Sequence, residues 1–144
     1  HRAELVRVLD GVSYYNDSIG TSPTRTANGT LQLYDRKIIL IAGGYDKQIP
    51  YDTLGPIIMD KVKTLILMGA TADKIEAAVK AAPNYCEQEI VILHANSMEK
   101  AVALAKEQAQ KGDIVSLSPA SASFDLYPNF EARGNHFKNI VNAL

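Results

Sequence analysis

The stretch IVSLSPASAS, from Ile114 to Ser123, decides the fold of this chain. Its first four residues form a short apolar run, which is typical of a strand buried on both faces. The run ends in small polar residues, and a helical pattern begins near Asn129. A buried strand that leads through small residues towards a helix is typical of α/β proteins with a parallel sheet. Backbone N–H groups at such a strand end can approach a small anion closely.

The same alternation of strand and helix extends back through the chain. The dipeptide Asp10-Gly11 predicts a β-hairpin turn between strands at 3–9 and 12–15. The later predicted strands are 37–42, 64–68, 90–93 and 114–117, and the predicted helices are 24–33, 51–61, 72–81, 96–108 and 129–144. Either Asn96 or Ser97 caps the fourth helix, and Asn96 with Glu99 fits a capping box. The predicted fold class is therefore α/β: a Rossmann-like, mainly parallel sheet flanked by helices, with the hairpin at one edge.

The composition is that of an ordinary globular domain. The chain has 144 residues, 47% of them hydrophobic and 22% charged, with a net charge of −1. We therefore expect one domain without bulk attraction to nucleic acid or to an anionic membrane. Cys86 is the single cysteine, which excludes an intrachain disulfide and fits a cytoplasmic setting. Because the chain starts at His1 without methionine, we expect it to be a piece of a longer protein.

Two further loops should lie beside 118–123 at the carboxyl edge of the sheet. The first, Gly43-Gly44-Tyr45-Asp46-Lys47, matches neither a Walker A loop nor a dinucleotide fingerprint. It is either a tight turn or a ligand loop in which Lys47 pairs with a carboxylate or phosphate. The second, 16–23, contains a helix cap at Ser22 followed by Pro23 at the first helical position. That cap explains neither Asp17 nor Thr21.

The remaining reactive residues give weaker signals. His1, His94 and His136 show no metal-ligand spacing, so no metal site is expected. The serines at 118–123 lack a nucleophile elbow. Helical spacing places Phe130 and Phe137 in the core more readily than at a ligand. These residues by themselves support an α/β domain that binds a small anion at the strand ends.

Four segments together resemble the C-terminal domain of the Mur ligases, above all of the members that add D-glutamate. The segments are His1-Arg2 with Glu4, Asn16-Asp17-Ser18 with Thr21, Gly43-Gly44 with Lys47, and Ser118 to Phe137. The resemblance implies one domain of an ATP-dependent amide ligase. That ligase adds D-glutamate to UDP-N-acetylmuramoyl-L-alanine in peptidoglycan precursor synthesis, through an acyl phosphate. N-terminal and central domains outside this chain would supply the P-loop and hold most of the ATP and magnesium, so the chain alone should be inactive.

The resemblance also implies roles for individual residues, and none of them is a catalytic residue within this domain. Arg2 would contact the phosphates of ATP, and Asp17 would face its ribose. The D-glutamate site would comprise Thr21, Lys47 and Ser123 on the carboxylates, Phe124 through its main chain, and Phe130 as a wall. A dianionic amino acid needs a cation and several N–H or O–H donors, which fits this set.

The chain departs from the resembled pattern at one position. Ile19 stands where the family commonly has a lysine, so a cation near the anionic substrates is missing. Arg25, in the first turn of the next helix, is expected to compensate by serving the UDP-muramoyl substrate. The pattern Asp-Asn-Pro-Arg of ligases that add a basic residue does not occur. Two alternatives stay open: a ligase like folylpolyglutamate synthetase, and a stand-alone module that binds a small anion.

Overall fold

The computed structural model describes residues 1–123 and 126–144, and the elements below lie within them. The strands are β1 (Glu4–Leu9), β2 (Val12–Asn16), β3 (Ile38–Ala42), β4 (Val62–Leu67), β5 (Val91–His94) and β6 (Ile114–Leu117). The α-helices are α1 (Pro23–Asn28), α2 (Leu54–Lys61), α3 (Ala72–Lys80), α4 (Met98–Gln108) and α5 (Phe130–Asn142). Two 3-10 helices cover Thr30–Gln32 and Glu87–Glu89.

The strands form one sheet in the order β1-β2-β6-β3-β4-β5. The strands β1 and β2 pair antiparallel, and every other neighbouring pair is parallel. Asp10 and Gly11 both have positive φ, 54° and 77°, as a hairpin turn that matches the twist of its strands requires. The predicted α/β fold with a hairpin at one edge is confirmed.

The sheet has a hydrophobic core on each face. In β3, all five residues are buried, and their side chains alternate between the faces. Leu40 contributes to the face covered by α1, α2 and α3. Ile41 contributes to the opposite face, which α4 and α5 cover. This layering explains why β3 is apolar throughout, whereas β1 at the open edge is not.

The predicted helix 24–33 is wrong in its extent, because it is two shorter pieces. The helix α1 ends at Asn28, and the 3-10 helix starts at Thr30. Between them, Gly29 has φ −104° and ψ −84°, and a Cβ there would lie 2.7 Å from the carbonyl oxygen of Arg25. Glycine is also a weak helix former. The predicted cap is confirmed, since Ser22 Oγ accepts a hydrogen bond of 3.3 Å from the Arg25 N–H.

The cap of α4 is Ser97 rather than Asn96. Ser97 has an extended backbone and its Oγ accepts a hydrogen bond of 3.1 Å from the Lys100 N–H. The capping box predicted for Asn96 and Glu99 is therefore wrong, because Lys100 stands three residues after the actual cap. Two adjacent residue types that both favour the cap leave the sequence ambiguous at this point.

The three polar loops meet at the carboxyl edge of the sheet, as predicted. Backbone hydrogen bonds join the loop after β3 and the loop after β2 to the segment around β6: Gly43 N to Pro119 O (2.8 Å), Tyr45 N to Ala122 O (2.8 Å), Asp17 N to Leu117 O (2.8 Å) and Ala120 N to Gly20 O (2.9 Å). The segment 118–123 is thus the central member of the group. None of the described helices is both long and apolar enough to cross a bilayer.

Candidate functional site

A small cavity of about 230 Å³ lies where these loops meet the start of α5. Its lining residues are Thr21, Lys47, Ala122, Ser123, Asn129 and Phe130. Four of the five residues predicted to hold D-glutamate therefore line one cavity, although they come from four separate parts of the chain. The fifth, Phe124, lies outside the described residues. Phe130 is half-buried at the cavity wall, whereas Phe137 is fully buried in the core, as predicted for a core residue.

Lys47 is exposed, and its ammonium has no hydrogen-bond or ion-pair partner among residues 1–123 and 126–144. The neighbouring carboxylate does not neutralise it. Asp46 Oδ2 lies 2.5 Å from Lys74 Nζ, and Asp46 Oδ1 accepts from the Gln48 N–H at 2.8 Å. The hydrogen bond from Lys74 holds the pKa of Asp46 below its ordinary value. Lys47 is therefore free to bind an anion that enters the cavity.

Two glycines bring the Lys47 loop against its neighbours. Gly43 has φ +108°, and a Cβ there would lie 1.9 Å from the carbonyl oxygen of Met68. A Cβ on Gly44 would lie 2.5 Å from the carbonyl oxygen of Ala122. The pair is thus required by close backbone approach, and not simply by a turn.

A buried hydroxyl cluster fixes the backbone just before Ser123. Ser121 Oγ shares hydrogen bonds of 2.8 Å with both Tyr51 OH and Thr71 Oγ1. Thr71 Oγ1 also accepts from the Gly44 N–H at 3.0 Å. The cluster couples the loops after β3, β4 and β6. Sequence reasoning missed Tyr51 and Thr71, because nothing in the spacing along the chain relates them to Ser121.

A buried arginine joins two of the loops to α5. Arg133, 3% exposed, donates from Nε to Ser18 Oγ (3.0 Å), from Nη2 to the Ser18 carbonyl (2.8 Å) and from Nη1 to the Ser121 carbonyl (2.9 Å). Ser18 Oγ in turn donates to the carbonyl oxygen of Phe130 at 2.6 Å. Sequence reasoning missed Arg133 as well. A signal existed, because an arginine three residues after Phe130 lies on the same helix face.

A larger cavity of about 590 Å³ also borders the 16–23 loop. Its lining residues are Arg2, Ala3, Asp17, Ser22, Thr24, Arg25, Asn28, Gly29, Thr30 and Leu33. This volume is within the range of small-molecule sites in proteins. The two residues predicted to face ATP, Arg2 and Asp17, thus share one cavity that is separate from the cavity of Lys47.

Within that cavity, Asp17 is a structural anchor. Its side chain is 2% exposed. Oδ1 accepts from the Ala3 N–H at 2.9 Å, and Oδ2 accepts from Ser118 Oγ at 2.9 Å and from Thr30 Oγ1. The carboxylate therefore holds the N-terminal segment, the 3-10 helix and the loop after β6 together. A contact between Asp17 and a ribose stays a prediction.

The N-terminal histidine packs against the wall of the small cavity. His1 Nδ1 is 2.9 Å from Asn16 Nδ2, and its ring meets Phe130 edge-to-face with centroids 5.9 Å apart. Gly134 makes room for it, since a Cβ on Gly134 would lie 2.3 Å from His1 Nδ1. His1 therefore supports the wall formed by Phe130.

A separate group lies at the end of β5, where His94 Nε2 is 2.6 Å from Glu76 Oε1. Asp73 offers a third potential metal-ligating atom, and all three atoms lie within 4.8 Å of one another. The dispersed histidines gave no sign of this arrangement. Glu76 Oε2 also lies 2.7 Å from Lys80 Nζ, and that hydrogen bond lowers the pKa of Glu76. The group is a surface ion-pair cluster.

Known proteins resemble this chain in both sequence and fold. Residues 1–121 match the family model described as "Mur ligase, glutamate ligase domain". A UDP-N-acetylmuramoylalanine--D-glutamate ligase of Clostridium botulinum (strain Okra / Type B1) is 58% identical over 100% of this chain. The protein of the same name from Acetivibrio thermocellus is 55% identical, also over 100% of this chain. The chain spans 31% of the length of each of these relatives.

Solved structures support the fold at low sequence identity. A domain from a putative UDP-N-acetylmuramate:L-alanyl-gamma-D-glutamyl-medo-diaminopimelate ligase of Haemophilus ducreyi matches with a TM-score of 0.55 and 13% identity, over 96% of this chain and 98% of that one. A murein peptide ligase of Psychrobacter arcticus matches with a TM-score of 0.59 and 16% identity, over 99% of this chain and 30% of that one. Since the family model covers most of the chain and close relatives cover all of it, the chain belongs to the Mur ligase family, in its glutamate ligase domain.

Proposed function

We propose that this chain is the amino-acid-binding C-terminal domain of a ligase that joins D-glutamate to UDP-N-acetylmuramoyl-L-alanine at the expense of ATP. One observation carries the proposal: Thr21, Lys47, Ser123 and Phe130 converge on one small cavity whose lysine has no partner among the described residues. The names of the relatives that cover the whole chain agree with it. Because the chain spans 31% of their length, the complete reaction requires parts of the protein outside it.

The chemistry of the small cavity suits a short dianionic amino acid. The Lys47 ammonium would attract a carboxylate as a point charge. The hydroxyl groups of Thr21 and Ser123 would donate hydrogen bonds that are strengthened by the negative charge of their acceptor. The ring of Phe130 would pack against the methylene groups of the side chain. Arg133 and Ser121 do not line the cavity, and they would hold its loops in position.

In the proposed reaction, a carboxylate oxygen of UDP-N-acetylmuramoyl-L-alanine attacks the γ-phosphorus of ATP, and ADP leaves. The amine of D-glutamate then attacks the acyl carbon, and the tetrahedral intermediate expels phosphate as the nitrogen loses a proton. This domain would bind D-glutamate and aim its amine, and orientation of this kind lowers the barrier by avoiding an entropic cost. N-terminal and central domains would hold most of the ATP and the magnesium, in a cytoplasmic enzyme.

The proposal is tested by measuring amino-acid binding to the 144-residue chain by calorimetry or NMR titration. We expect D-glutamate to bind and L-glutamate to bind more weakly. Lys47→Ala should weaken the binding of D-glutamate by about tenfold or more, since a hydrogen bond to a charged group contributes about 1.5–3 kcal/mol. Lys37→Ala is the matched control, because Lys37 is an exposed lysine at the opposite end of β3. Equal D-glutamate affinity in the Lys47 and Lys37 variants would contradict the proposal.

A further inference from the structure

Two arginine side chains face the larger cavity without a counter-charge. Arg2 and Arg25 both line it, and neither guanidinium has a hydrogen-bond or ion-pair partner in the described parts of the chain. Asp17 is the one acidic residue among the described lining residues. Its carboxylate oxygens already accept hydrogen bonds from Ala3, Thr30 and Ser118. The cavity therefore presents a net positive wall to any ligand.

We propose that Arg25 is a phosphate-binding residue that holds the triphosphate of ATP together with Arg2. The proposal rests on the function proposed above and on the expectation that Arg2 and Asp17, which line this cavity, face the nucleotide. A guanidinium presents a planar fork of N–H donors that matches phosphate oxygens bidentately. Two such groups at one cavity suit a ligand with several adjacent anionic oxygens, and a single carboxylate would leave one of them unpaired.

The position of Arg25 separates this role from service at the amino-acid cavity. Arg25 does not line the cavity of Lys47. Its backbone N–H is fixed by the Ser22 cap, which holds the residue in the first turn of α1. Ile19, the residue that replaces the lysine common in the family, lines neither cavity. The structure therefore places Arg25 at the larger cavity and away from the amino-acid cavity, and its compensation for the missing lysine stays a prediction.

The residues that line the larger cavity suit ATP better than UDP-N-acetylmuramoyl-L-alanine, which is the other phosphate-bearing substrate. A terminal triphosphate carries more negative charge than the diphosphate of a UDP-sugar, which is substituted at both ends. Two unpaired guanidiniums therefore gain more from the triphosphate. Leu33, 64% exposed, offers an apolar surface at the same cavity on which a base can rest. Ser22, Thr24 and Asn28 add neutral hydrogen-bonding groups for a sugar.

The test measures binding of four probes to the 144-residue chain by NMR titration: inorganic tripolyphosphate, ATP, UDP-N-acetylmuramoyl-L-alanine and D-glutamate. Arg25→Ala and Arg2→Ala should each weaken tripolyphosphate and ATP by about tenfold, which corresponds to about 1.4 kcal/mol. Both variants should bind D-glutamate with the affinity of the unaltered chain. Arg36→Ala is the control, since Arg36 pairs with Asp35 and donates to the Gly112 carbonyl at the opposite edge of the sheet. Arg25→Lys should recover part of the affinity, and thermal melts should show that every variant folds.

Each outcome of the test separates the two proposals. If Arg2→Ala weakens ATP and Arg25→Ala does not, the role of Arg25 is overturned and the proposed function stands. If Arg25→Ala weakens the UDP substrate more than ATP, the assignment to the triphosphate is overturned. If the unaltered chain alone binds neither tripolyphosphate nor ATP, the same variants are compared in the full-length ligase, where an unchanged Michaelis constant for ATP in Arg25→Ala overturns the assignment. If the unaltered chain does not bind D-glutamate, the proposed function itself is contradicted.

Discussion

The hydroxyl group of Ser18 donates a hydrogen bond of 2.6 Å to the backbone carbonyl of Phe130. The same oxygen accepts a hydrogen bond from Arg133 Nε at 3.0 Å. One side chain thus connects the loop after β2 to the first turn of α5, where the wall of the small cavity begins. Phe130 is half-buried and Arg133 is buried, so neither group could replace this hydrogen bond by one to bulk water without an energetic cost.

Replacing this side chain should destabilise the domain and loosen the cavity. Ser18→Ala leaves the Phe130 carbonyl and Arg133 Nε short of a partner, which should cost about 1–3 kcal/mol of the free energy of unfolding. Urea denaturation measures this loss. Ser13→Ala, in β2, is the matched control and should stay within about 0.5 kcal/mol of the unaltered chain. Similar unfolding midpoints for both variants would show that the Ser18 bonds contribute little.

Gly43 should tolerate no side chain. Gly43→Ala combines a positive φ of +108° with a Cβ placed 1.9 Å from the Met68 carbonyl oxygen. Gly112 also has a positive φ, +94°, but a Cβ there would meet no atom within 4 Å. Gly112→Ala therefore measures the conformational cost alone, about 1–2 kcal/mol. Gly43→Ala should cost several kcal/mol more in thermal or urea unfolding, and a loss equal to that of Gly112→Ala would contradict the close approach.

Asp17 should contribute to the stability of the fold, in addition to any contact that it makes with a nucleotide. Asp17→Asn replaces one acceptor oxygen by a donor group that faces the Ala3 N–H or the Ser118 and Thr30 hydroxyl groups. We expect a loss of about 2 kcal/mol or more in the free energy of unfolding, since buried donors lose their charged partner. Asp10→Asn, in the exposed hairpin turn, is the control. If Asp17→Asn unfolds at the same urea concentration as the control, the anchoring role is wrong.

The fold followed from the sequence because its signals are local and mutually consistent. The five apolar residues of β3 and the turn at Asp10-Gly11 predict their elements without knowledge of distant contacts. The errors occurred where a tertiary or a very local effect decided the outcome. Gly29 ends α1 in a backbone conformation where a Cβ would clash with the Arg25 carbonyl. The competition between Asn96 and Ser97 as cap is settled by geometry that composition does not encode.

The site was predictable in part. The topology of parallel sheets brings strand ends to one edge, so the meeting of the loops at Thr21, Lys47 and Ser123 followed from the order of the strands. The buried residues that hold these loops in position could not be predicted from the sequence. Arg133 pairs with Ser18 across 115 residues and Thr71 pairs with Ser121 across 50 residues, and such pairings need coordinates. The division into two cavities, with Arg25 and Arg2 lining the same one, also emerged only from the structure.

Acid should weaken the contact between β1 and α5. Glu4 Oε2 accepts from Lys138 Nζ at 2.9 Å, and Glu4 Oε1 accepts from Asn16 Nδ2 at 3.1 Å. The bond to Lys138 is the main cause that lowers the pKa of Glu4 below its ordinary value of 4.5. A lowered pKa means that the folded state binds fewer protons than the unfolded state. The resulting stability is present above pH 4.5 and is lost as the pH falls through the lowered value.

Glu4→Gln tests this dependence through urea denaturation as a function of pH. The variant should lose about 0.5 kcal/mol at neutral pH, a small value because the pair is partly exposed to solvent. It should also lose less stability than the unaltered chain on acidification. Parallel pH profiles for the two proteins would show that Glu4 does not contribute through its charge.

The most direct test of the central claim is a map of where D-glutamate binds on the 144-residue chain. Backbone amide shifts in an NMR titration with D-glutamate should change at Thr21, Lys47 and Ser123 and at the start of α5. They should change little at a separate groove, which is lined by residues 48–52 and by Lys74, Ala77, Ala78 and Ala81. In Lys47→Ala, about ten times more D-glutamate should be needed to produce the same shifts. Shifts confined to the groove, or no shifts at saturating D-glutamate, would contradict the assignment of the small cavity as the amino-acid site.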